Sequence, residues 1–111
     1  MNHDLKGALQ TYIRLLGQEE YFEAHEVLEE AWHPLRLGDH PLKNLVKGLI
    51  NAAIAFEHLK RNRSNATLKA TKVIASYERY KHLAKYGIVN YDLFEDAIQK
   101  VETIKKQAEV F

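Results

Sequence analysis

The chain contains no cysteine. That absence excludes disulfides, thiolate metal sites and cysteine nucleophiles together. Proline occurs twice and glycine five times, and no low-complexity tract or long linker is visible. No window approaches the roughly 18 consecutive apolar residues of a membrane span. The start, MNHDLKGALQTY, has neither the basic head nor the apolar run of a signal peptide. A soluble, cytoplasmic protein with no membrane partner is therefore expected. Also missing are a phosphate-binding glycine loop and a nucleophile elbow, since Ser64 and Ser76 lie in no such motif.

What is present is 111 residues, 46% apolar and 28% charged, which suits one domain over residues 1–111 with its own core. The formal charge of +1 conceals a division along the chain. Residues 18–34 hold six glutamates and no lysine or arginine, whereas residues 42–86 hold ten lysines and arginines against Glu57 and Glu78. Such a division means mutual packing in a compact fold or separate patches for separate partners.

Between the few breaks every segment reads with helical period, and no convincing strand alternation occurs. Five helices are expected. The first runs from a capping Asp4 to Leu16, with Gly17 closing it; the second covers about 19–33, ahead of Pro34. The third is capped by Asp39 or His40, has Pro41 in its first turn and continues to about Arg61. The fourth runs from about Ser64 to Tyr86, where Gly87 supplies a left-handed stop, and the fifth begins near Tyr91. Short connections make the fold class all-α, a compact antiparallel bundle of five helices.

The second helix has two faces. Ala24, Val27, Leu28, Ala31 and Leu35 form a buried side, and Phe22, His25, Glu26, Glu29, Trp32 and His33 fill a second arc. Like-charge pairs such as Glu26 with Glu30 cost about 0.2–0.5 kcal/mol each. Compensation is expected from the basic third and fourth helices or from a bound cation. On the third helix Lys47, Asn51, Ile54 and His58 stack at i, i+4, i+7 and i+11. With the two helices as antiparallel neighbours, this stripe would face His25, Glu29 and Trp32 across a groove. A solvated surface or a satisfied structural network explains the same residues without any ligand.

Three chemistries fit that groove. His25 and His58 are the proton-exchanging pair of a catalytic site, with Glu29 orienting one imidazole; Lys47 and Asn51 contact the anionic group of a small ligand, Trp32 forms a wall and Glu26 is a further ligand-binding residue. Alternatively His25, Glu29 and His58 ligate a divalent metal, a variation on H-E-x-x-H in which Glu29 replaces the second histidine. Lys47 argues against that, because an ammonium beside a divalent cation is repelled. A di-iron carboxylate site needs two E-x-x-H pairs, and only Glu30 with His33 has the spacing. The third reading is a non-enzymatic module whose groove or Val110–Phe111 tail receives a partner protein or a second copy, making a homodimer. No cofactor is identified. Nucleic-acid binding is disfavoured: Lys60, Arg61, Arg63, Lys69, Lys72, Arg79, Lys81 and Lys85 scatter around the polar side instead of forming one face.

The segments EYFEAHEVLEEAWH and KGLINAAIAFEHLKRN resemble the hallmark pair of the small helical proteins of domain of unknown function 309, over roughly residues 15–85. The resemblance rests on Tyr21, Phe22, His25, Glu26, Glu29 and Trp32, then on Lys47, Gly48, Leu49, Ile50 and His58. It implies a compact all-α fold and no particular activity. Two positions depart from the pattern. Asn51 stands where glutamine is usual, keeping an amide on a shorter arm. Asn65 stands where the family turns with glycine, and asparagine tolerates the left-handed conformation.

Overall fold

A computed structural model describes residues 4–111, and among these the chain is helical with no strand. The helices are α1 (Leu5–Gly17), α2 (Tyr21–Leu37), α3 (Lys43–Arg61), α4 (Ala66–Tyr80) and α5 (Tyr91–Ala108), with one short 3-10 turn at Lys81–Leu83. α2 runs antiparallel to α3, with His25 beside His58 at one end and Trp32 on Lys43 at the other. α3 lies centrally against α2 on one side and α4 on the other, while α1 packs on α2 and α5.

Each helix buries the stripe its sequence marks. Leu9, Tyr12 and Leu16 of α1, Ala24, Leu28 and Ala31 of α2, and Phe94, Ala97 and Val101 of α5 join one continuous core. α3 contributes most, with Leu45, Val46, Leu49, Ile50, Ala52, Ala53, Ala55 and Phe56 all buried, as a helix flanked on both sides requires. The Tyr12 hydroxyl donates to the Leu49 carbonyl at 2.6 Å, so the one polar atom that α1 carries into the core has a partner.

Two contacts set how α3 and α4 cross. Gly48 lets the helices touch at backbone level: a Cβ there would lie 2.9 Å from the Tyr77 Cα and 3.3 Å from the Ser76 carbonyl oxygen. Beside it, the Asn51 amide donates to the Ser76 hydroxyl at 2.7 Å. α5 is tied to α4 by charge. The Tyr77 hydroxyl donates to Glu102 at 2.6 Å, Lys81 reaches Glu102 at 3.1 Å and Glu78 at 2.9 Å, and Lys105 pairs with both glutamates. Burial, reinforced by the Glu102 carboxylate, pushes the Tyr77 phenol far up and keeps it a donor.

Three expected boundaries move. α2 passes through Pro34 and ends at Leu37 before Gly38. The proline opens the last turn, where its missing N–H costs a single helical bond, and Leu35 beyond it still packs on the core. α3 begins at Lys43, so Pro41 precedes it; His40 Nδ1 accepts from the Leu42 N–H at 3.0 Å, and Asp39 pairs with Lys43. α4 stops at Tyr80, not Tyr86. The chain tightens there into the 3-10 turn, setting Leu83 and Ala84 on the core, and Ala84 leaves helical space at ψ 79°. Gly87, with φ +104°, serves the following loop. Asp4 caps α1 through the Lys6 N–H, and Asn65 takes φ 62°, both as the sequence indicates.

Candidate functional site

Antiparallel packing of α2 on α3 brings His25 and His58 to the same hollow. Its volume is about 250 Å³, and it is lined by Phe22 and His25 from α2 and by Ile54, Glu57, His58 and Arg61 from α3. Helical spacing explains the set: 22 and 25 lie one turn apart, as do 54, 57/58 and 61.

The imidazole of His25 is fixed by its own helix. Its Nδ1 lies 2.6 Å from the Phe22 carbonyl oxygen. A carbonyl can only accept, so Nδ1 carries the hydrogen and neutral His25 presents a bare Nε2. Glu29 Oε1 is 3.6 Å from that Nε2, within ion-pair reach of the protonated ring but beyond a hydrogen bond. The orientation expected from Glu29 therefore comes from the Phe22 backbone. His25 is only 16% exposed. On α3, Glu57 Oε2 accepts from Arg61 Nε at 2.6 Å, and the Arg61 guanidinium carbon lies 5.8 Å from the Phe22 ring centroid.

The remaining sequence-predicted residues lie elsewhere. Trp32 is two turns further along the same seam, where its Nε1 donates to the Lys43 carbonyl at 3.1 Å and the Lys47 ammonium sits 4.4 Å over its ring. Lys47 is thus spent on Trp32, and Asn51 is turned to Ser76 of α4. The stripe 47-51-54-58 spans an arc of about 60° on the wheel. That arc straddles the ridge between α2 and α4, so Ile54 and His58 fall on one side and Asn51 on the other. Glu26 opens over α1, in a shallow acidic hollow with Glu20, Glu23 and Glu30 beside Leu15 and Gln18. There a hydrogen bond from the protonated Glu23 carboxyl to Glu20, with the Glu20 charge, raises the Glu23 carboxyl, with Lys60 opposing. The expected compensation is slight: Lys60 bonds the Glu19 backbone carbonyl at 2.8 Å.

Glu57 and Arg61 also line the hollow, beyond the residues the sequence pattern picks out. The signal was present, since they stand at i, i+4 as a charge pair and flank His58. Among the described residues no group of three or more histidine, aspartate or glutamate side chains is placed to hold a metal ion, so His25, Glu29 and His58 do not come together as ligands. A larger hollow of about 550 Å³, bounded by Lys6, Gln10, Tyr86 and Tyr91, contains none of the residues above. The α2–α3 hollow is the one that holds both imidazoles and the Arg61 guanidinium.

A family model described as a domain of unknown function (DUF309) matches residues 9–69. The chain belongs to the DUF309 family. The DUF309 match runs from α1 through α3 into α4, so every residue lining the α2–α3 hollow lies within it. No curated protein and no solved structure matches the chain. Among the described residues no helix is long and apolar enough to cross a membrane.

Proposed function

We propose that this DUF309 protein binds a small ligand bearing an anionic group in the α2–α3 hollow, with His25 and His58 exchanging protons with it. The observation carrying this reading is that both imidazoles and the Arg61 guanidinium line one cavity. Arg61 takes the anion-contact role that the sequence assigns to Lys47 and Asn51. Its Nε is held by Glu57, which leaves the two terminal amino groups for a ligand. His25 serves as base through its bare Nε2, and the imidazolium so formed is stabilised by the Glu29 carboxylate at 3.6 Å. Phe22 and Ile54 supply apolar walls.

The test is thermal unfolding of wild type, His25→Gln and His58→Gln against small carboxylates and phosphates. A ligand at about a hundred times its Kd stabilises by about 2.7 kcal/mol. Wild type should gain that stabilisation, and each variant should lose it while keeping its ligand-free Tm. Variants that unfold without ligand would make the histidines structural and end the proposal.

The alternative of a tail-mediated homodimer has less support. Phe111 already meets Phe56 of its own α3 edge-on, with centroids 6.2 Å apart.

A further inference from the structure

The charges around the hollow define the ligand further. Only one residue lining it, Arg61, is a permanent cation, and the carboxylate of Glu57 is joined to its Nε at 2.6 Å. A second carboxylate, Glu29, stands behind His25. A plain anion entering here would gain Arg61 and be repelled by Glu57; a plain cation would meet the reverse. The Arg61 terminal amino groups and the second Glu57 oxygen have no protein partner among the described residues. One free donor fork and one free acceptor therefore sit side by side, at the mouth of a cavity walled by Phe22 and Ile54.

Resting on the ligand-pocket reading above, we infer that the hollow takes a zwitterion, a free α-amino acid with an apolar side chain. Its carboxylate lies on the terminal amino groups of Arg61 and its ammonium on Glu57, because an α-amino acid carries both charges on one carbon, matching the adjacency of that pair. The side chain fills the space between Phe22 and Ile54. A volume of about 250 Å³ equals roughly eight water molecules' share of the liquid, enough for a side chain of leucine's size between these walls. Glu57 is then the specificity-determining residue. It weakens plain carboxylates and dianions relative to the zwitterion, without excluding them, because they meet its charge and gain only Arg61.

Three probes separate these charges: L-leucine, 4-methylpentanoate, which lacks the ammonium, and 3-methylbutylamine, which lacks the carboxylate. Binding to the full chain is followed by calorimetry and by the His25 and His58 ring signals in NMR. Leucine should bind at least about tenfold more tightly than either analogue, the worth of one charged hydrogen bond. Arg61→Gln should weaken leucine and 4-methylpentanoate alike. Glu57→Gln should erase the preference for leucine over 4-methylpentanoate. Arg61 is exposed and Glu57 partly buried, and an unchanged Tm verifies that each variant is folded. Equal binding of 4-methylpentanoate and leucine to wild type would overturn the zwitterion and leave the anion pocket standing. Silence from all three probes would overturn it too; inorganic phosphate, tested in the same spectra, then decides whether the pocket reading survives.

Discussion

Replacing Gly48 by alanine puts the α3–α4 crossing to a quantitative test. The added methyl would sit 2.9 Å from the Tyr77 Cα, 3.3 Å from the Ser76 carbonyl oxygen and 3.4 Å from the Tyr77 nitrogen. All three are backbone atoms of α4, so no side chain can swing aside and the helices must separate. Overpacking of this kind costs about 1–3 kcal/mol. Against it stands the helix propensity of alanine, which gains about 1 kcal/mol over glycine. The clash involves main chain, and separation also stretches the 2.7 Å Asn51–Ser76 hydrogen bond one turn along. The two figures leave a loss of about 0–2 kcal/mol, and weakening the hydrogen bond adds about 0.5 kcal/mol or more, so a net loss of about 1–2 kcal/mol, or about 4–8 °C in Tm for a chain of this length, is expected. Gly17→Ala is the matched control. Its Cβ would approach only the end of the flexible Lys100 side chain, at 3.5 Å, and stability should be unchanged or raised by up to about 1 kcal/mol. Urea unfolding of both variants measures the difference. A Gly48→Ala protein as stable as wild type would refute the close crossing, and with it the rotation of α3 that places His58 in the hollow.

Two further outcomes follow from the core and the α4–α5 clasp. Tyr12→Phe removes the buried hydroxyl bonded to Leu49 and should cost about 1 kcal/mol in urea unfolding; no loss would mean that this hydrogen bond contributes nothing net. In the clasp, burial is the largest influence on Glu102 and Glu78 and opposes their charge, but bonds from Tyr77, Lys81 and Lys105 to Glu102, and from Lys105 and Lys81 to Glu78, outweigh it and hold both carboxyls below the usual range. Carboxyls so depressed stabilise fully above their unfolded values, and that stability is lost as pH falls through their folded values. Lys81, raised chiefly by its hydrogen bond to Glu78, contributes below its unfolded value and loses the contribution as pH rises through its folded one. Urea midpoints followed downward from about pH 5 should therefore fall more steeply for wild type than for Glu102→Gln. Parallel curves would show that Glu102 carries no charge-linked stability.

The helices were legible because burial repeats every 3.6 residues and the stripes of α1, α3 and α5 keep that period cleanly. The boundaries that moved are those where tertiary contacts override a local signal. Pro34 marks a break in isolation, but Leu35 beyond it finds core to pack on, and the helix continues to Leu37. The fourth helix reads as unbroken to Gly87, yet Leu83 and Ala84 reach the core only if the chain tightens before them. Trp32 was expected as a ligand wall; its indole donor meets the Lys43 carbonyl and its face meets Lys47, contacts that depend on how far α3 slides along α2.

By itself, then, the sequence determined five amphipathic elements and which side chains share a face. Those are angular relations within a helix, fixed by its own geometry. Tertiary structure decided which neighbour each edge of a face meets. α3 can rotate by tens of degrees about its axis without disturbing any internal hydrogen bond, and only long-range contacts such as Gly48 against Tyr77 select one rotation. That selection turned Asn51 toward α4 and set His58, Glu57 and Arg61 beside His25.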